Sequence, residues 1–265
     1  MKRAIFSLLL MVILPFSGNA QFLRVEHDGQ DFPDSYMSRI TRTLTKEVEF
    51  YGPLGLQDTV TVKLKVFKNT DSANMFLRQY EPEAYGHFCS GMYIPEIKTA
   101  VVATTEDMDE AVKTLYHEIS HFLYDKVMDS APSSVMFTAY GLNEGLASYF
   151  QFMKLRKDGS DYQQDNKHYI NSVKTLIEID EFDLDEYLGM NHSRFKDKYR
   201  HDGSESYYAS YVIVAVLFDR MGTERMRELL SMIINGTTYG NAVESLYPGG
   251  KNGLEEDIKA FVSKH

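Results

Sequence analysis

The stretch Tyr116-His117-Glu118-Ile119-Ser120-His121-Phe122 constrains this chain more than any other. On a helix, residues four apart stand one above the other, so His117 and His121 offer two imidazoles to a single metal ion. Zinc takes imidazole nitrogens at roughly 2.0–2.1 Å, and a rigid helix presents such a pair without reorganisation. Glu118 stands one residue off the ligand axis, poorly placed to bind the ion and well placed to reach water beside it, which suits a general base. The same five-residue pattern also arises by accident on surface helices, so its neighbours have to carry the reading.

Those neighbours favour a helix from about residue 106 to 126. Thr104 and Thr105 are available as caps, and Glu106, Asp107, Asp109 and Glu110 put negative charge at its positive end. Val112, Leu115, Ile119 and Phe122 recur at helical spacing, so the helix is partly buried. A two-histidine site needs a third protein ligand and an open fourth position. Downstream, Leu142-Asn143-Glu144-Gly145-Leu146-Ala147-Ser148-Tyr149-Phe150 reads as a second amphipathic helix, and Glu144 is the candidate ligand.

His117-Glu118-x-x-His121 followed on a second helix by Asn143-Glu144-Gly145-x-Ala147 resembles the gluzincin metallopeptidases, a group that includes thermolysin and the aminopeptidase N family. The resemblance places the role of third zinc ligand on Glu144. Between His121 and Glu144 lie 22 residues, a few more than is usual in the aminopeptidase group, so the connecting loop should differ. Metzincins fit worse: their extension needs glycine at 124 and histidine at 127, where this chain has Tyr124 and Val127. Further on, Tyr207-Tyr208-Ala209-Ser210-Tyr211 and the apolar run ending Leu217-Phe218-Asp219-Arg220-Met221-Gly222 are similar to the short bacterial peptidases of the peptidase MA-like superfamily. The resemblance then covers roughly residues 60 to 262.

At the start of the chain, Lys2 and Arg3, the apolar run from Ala4 to Phe16 and Gly18-Asn19-Ala20 before Gln21 read as a cleavable secretory signal over residues 1–20. Export to the periplasm or the medium is expected. The apolar core is too short to span a bilayer and no other run approaches the ~20 residues needed, so stable membrane insertion is not expected. Removal of Lys2 and Arg3 with the leader takes the formal charge from -10 to -12, which disfavours nucleic acid and anionic membranes as partners. The single Cys89 cannot form an internal disulfide; it reads as a small buried residue, with a thiol nucleophile or metal ligand as the rarer alternative.

Period-2 alternation predicts strands at 22–26 and 60–67 and a hairpin of 91–94 with 97–102, and helices are expected at 35–51 and 70–79. Beyond the two metal helices the chain reads as helical, at 160–179 (opened by a capping-box pattern at Ser160), 183–188, 206–220, 224–234, 241–246 and 254–262. The fold class is therefore α+β: one metallopeptidase domain over 21–265, with a small N-terminal sheet and helices to about residue 127 and a mainly helical part from about 128. The metal is expected in a cleft between them. The resemblance implies a zincin-like fold, in which the sheet offers its edge strand to an extended substrate.

Two further residues enter through the resemblance. Ser148 lies where thermolysin-like enzymes carry an aspartate that orients a ligand, although close helix packing explains a small residue equally well. Tyr207 falls where such enzymes place an oxyanion-binding tyrosine, with Tyr208 beside it leaving the register open. His168, His192 and His201 read as surface residues. The favoured function is zinc-dependent hydrolysis of a peptide or protein substrate by metal-activated water, with one Zn2+ per chain on His117, His121 and Glu144, Glu118 as general base and Tyr207 at the oxyanion. The alternative is a non-catalytic exported module of the same fold that binds peptides or a partner protein.

Overall fold

The computed structural model describes residues 9–13, 22–56, 59–80, 90–104, 107–136, 138–155, 161–163, 166–195 and 204–265. Strands β1 (Leu9–Ile13), β2 (Phe22–Gly29), β3 (Thr59–Phe67), β4 (Gly91–Ile94) and β5 (Thr99–Ala103) form one sheet in the order β1-β2-β3-β5-β4. The inner strands β2, β3 and β5 run parallel, while β1 and β4 join the edges antiparallel. In β3 the residues alternate, so that Val60, Val62, Leu64 and Val66 are buried while Thr59, Thr61 and Lys63 reach solvent. Every residue of β5 is buried, because helices cover both of its faces.

On one face lies α1 (Asp34–Tyr51), whose Ile40 and Leu44 share an apolar pocket with Val25, Leu64 and Leu115. On the other, α2 (Thr70–Leu77) is capped by Asn69, which accepts from the Ser72 amide, and packs Ala73 and Leu77 against Val101 and Ala103. Then come α3 (Met108–Met128), α4 (Ser133–Met136), α5 (Tyr140–Gln151), α6 (Lys167–Glu178), α7 (Leu184–Gly189), α8 (Glu205–Ile234), α9 (Tyr239–Leu246) and α10 (Gly250–Lys264). Helix α8 is the centre of the helical part, with α5, α6, α9 and α10 packed on it. Its first half is apolar all round and buried from Ala209 to Leu217. Gly222, at φ 73 and ψ 172, breaks α8 where the sequence places a stop between two helices.

The α+β expectation holds. By internal contacts the chain divides into residues Met1–Lys126 with Leu155–Ser160, and Val127–Lys154 with Asp161–His265. One expected helix is corrected: Asp161–Gln163 is a short strand, β7, paired with β6 (Met153–Leu155), and α6 starts only at Lys167. The cap there is Asn166, which accepts from the amides of His168 and Tyr169; a side chain two residues from its targets outcompetes the box pattern at Ser160. Residues 9–13, inside the expected leader, pair with β2 in the register Leu10 to Val25. No helix among the described residues is long and apolar enough to cross a membrane.

Candidate metal centre

Along α3 almost every side chain from Ala111 to Met128 is buried, except a half-buried stripe of Lys113, His117, His121, Asp125 and Lys126. The two histidines thus stand one turn apart on the accessible line of an otherwise dry helix, their ring centroids 4.6 Å apart and nearly perpendicular. Glu118, off that stripe, is buried at 5% exposure. Edge strand β4 passes beside it: a Cβ on Gly91 would stand 3.1 Å from Glu118 Oε1, 2.8 Å from the Val101 carbonyl and 2.3 Å from Thr114 Cγ2. Only glycine lets the strand run so close to the Glu118 carboxylate. One residue further along β4, beyond Met92, Tyr93 sets its ring edge-on to Phe122 and donates its hydroxyl to Asp125 at 3.2 Å, fixing strand to helix.

Helix α5 carries the third candidate. A Cβ at Gly145 would meet the Ser210 carbonyl at 2.4 Å and Val214 Cγ2 at 2.5 Å, so α5 and α8 touch backbone to backbone there. This contact fixes the helix at the residue next to Glu144, which is itself buried at 3% exposure. Ligand atoms of His117, His121 and Glu144 all lie within 4.8 Å of one another. His117, His121 and Glu144 would be the residues to hold an ion there. Two imidazoles and one carboxylate are a donor set that zinc favours, and with the ion they leave the site one unit positive.

The Peptidase MA superfamily model matches residues 55–264, which include α3 and α5. The chain belongs to the Peptidase MA superfamily. No curated protein matches it. A solved structure similar to it is a variant of an M1 zinc metallopeptidase from Deinococcus radiodurans, at 11% identity and a TM-score of 0.48, covering 93% of this chain and 50% of that one. The chain therefore spans about half the length of that enzyme.

In this superfamily member the remaining candidates are placed as follows. Tyr207, in the first turn of α8, is half-buried with its ring edge-on to Phe195, and Phe195 meets Tyr140, one turn before Glu144 on α5. Tyr208 points elsewhere, its hydroxyl 3.0 Å from Nε2 of the exposed His168. Ser148 is buried on α5, one turn beyond Glu144. His192 is exposed and lies against Tyr140. Cys89, His201, Thr105 and Glu106 fall outside the described residues. Sequence reasoning missed Gly91, whose role rests on a contact with α3 that no local pattern carries.

Proposed function

We propose that the chain is an exported zinc-dependent peptidase in which His117, His121 and Glu144 hold the ion. The convergence of their three ligand atoms within 4.8 Å is the observation that carries this reading. When bound, zinc supplies Lewis-acid polarisation of the scissile carbonyl and activation of the attacking water. Glu118 takes the proton from that water and returns it to the leaving amine, as a buried carboxylate beside the ligand stripe is suited to do. Tyr207 donates a hydrogen bond to the oxyanion that forms at the carbonyl. An extended substrate aligns along β4, the last strand of the sheet among the described residues, and the close pass of Gly91 brings that strand to Glu118.

The test is Glu118→Gln, which keeps shape and hydrogen bonding but accepts no proton. Turnover of a peptide library is expected to fall by at least ~10²–10⁴-fold while zinc stays bound. A wild-type protein that holds zinc and cleaves nothing in the library would instead be a peptide-binding module.

A further inference from the structure

Behind the metal stripe, α3 carries a second stripe that peptide hydrolysis does not use. Tyr116, Ser120 and Tyr124 each precede a member of the ligand stripe by one residue, so they run about 100° around the same helix. All three are buried, at 3%, 0% and 6% exposure. Helix α1 presents Thr43, Glu47 and Tyr51 at the same four-residue spacing, buried at 1%, 0% and 0%. The stripes meet where the Tyr51 hydroxyl lies 3.0 Å from Ser120 Oγ, inside the metal motif itself.

Around that bond several polar atoms lack a protein partner. Neither carboxyl oxygen of Glu47 nor the hydroxyl of Tyr124 has a hydrogen-bonding partner among the described residues, while the Tyr116 hydroxyl faces Thr43 and the Arg39 guanidinium. Electrostatic coupling ties them into one neighbourhood: Glu47 acts on Tyr51 and Tyr116, and Tyr124 acts on Tyr51. Three buried polar atoms left dry would cost about 1–3 kcal/mol each, and a carboxyl with two phenols offers the two to four partners that an internal water needs.

We propose that Glu47, Tyr116 and Tyr124 bind internal water between α1 and α3, and that this network, tied to the metal motif by the Tyr51–Ser120 hydrogen bond, positions His117 and His121. The positioning half rests on the zinc reading above. Rotation of α3 about its axis would swing both imidazoles, and the network resists it because turning the hydroxyl stripe away breaks every bond at once. Glu47 and Tyr51 are positioning residues: they act on the ion through the helix.

Two measurements test this. A crystal structure of the protein is expected to show ordered water within hydrogen-bonding distance of Glu47 and of at least one of the two phenols; a dry pocket overturns the proposal. Zinc dissociation constants of the folded protein, by competition with a chromophoric chelator, are expected to rise about tenfold in Glu47→Leu and in Tyr51→Phe and to stay within about threefold in Glu47→Gln, which keeps the hydrogen-bonding shape. Melting temperatures are recorded alongside, since a purely structural network would lower them and leave zinc affinity alone. Wild-type affinity in both Glu47→Leu and Tyr51→Phe overturns the positioning role, and if Glu47→Leu does not fold, Tyr51→Phe decides alone. A wild-type protein that binds no zinc overturns the proposed function and the positioning role together, while the crystal structure still decides the water site.

Discussion

Burial holds the Glu47 carboxyl well above the ordinary carboxylate range, because no cation or donor offsets the loss of solvation. A raised folded pKa means that folding favours the protonated acid. Its contribution to stability is complete below the unfolded value, about 4.3, and is lost as pH rises through the folded value. Glu47→Gln, neutral throughout, is expected to melt near wild type at about pH 4 and increasingly above it towards about pH 8. A melting-temperature difference that stays constant across that range would show that the carboxyl ionises without penalty. The two tyrosines at the start of α8 separate in the same residue-by-residue way. Because an oxyanion donor acts mainly in the transition state, Tyr207→Phe is expected to lower kcat and kcat/KM together by about 10²–10³, with KM nearly unchanged. Tyr208, whose hydroxyl faces His168, should tolerate Phe with far less effect on kcat. A larger kcat loss at 208 than at 207 would reverse the assignment.

Two glycines show how elements set the site. Alanine at 91 would press on Thr114 and on the Glu118 carboxylate, and a displacement of about 1 Å at a catalytic group costs on the order of 10²-fold in rate. Gly91→Ala is therefore expected to keep its zinc and lose about that much kcat. Alanine at 145 would drive α5 away from the Ser210 carbonyl at the residue next to Glu144. Overpacking of this kind costs about 1–3 kcal/mol, and zinc affinity should fall with stability. Assaying both variants for zinc and turnover tells the strand effect from the helix effect; loss of zinc in Gly91→Ala would contradict the division. The same contrast explains what was legible in the sequence. His117, His121 and the helix bearing Glu144 could be read because helical spacing is local, and the strands because β3 alternates. Gly91 against Glu118, and Tyr51 on Ser120 across 69 residues, are tertiary contacts that leave no mark in any window. At 160–166 two local signals competed, and the nearer cap, Asn166, prevailed.

At the scale of the whole chain, the proposed zinc site makes metal binding and folding one equilibrium. Ligand atoms contributed by His117, His121 and Glu144 come within 4.8 Å only in the folded protein, so the unfolded chain offers zinc no comparable site. Free zinc at a thousandfold excess over its dissociation constant then adds about 4 kcal/mol to stability. For a chain of this size each kcal/mol moves the melting temperature by about 2–4 °C, so a strong chelator should lower it by about 10 °C. Glu144→Ala removes the only charged member of the proposed ligand set, and its melting temperature should respond much less to the chelator than wild type does. Calorimetry on both proteins with and without chelator reads the difference. Equal shifts in the two would move the third ligand away from Glu144, and a wild-type protein that holds zinc yet melts at the same temperature without it would mean that the ion binds outside the folded site.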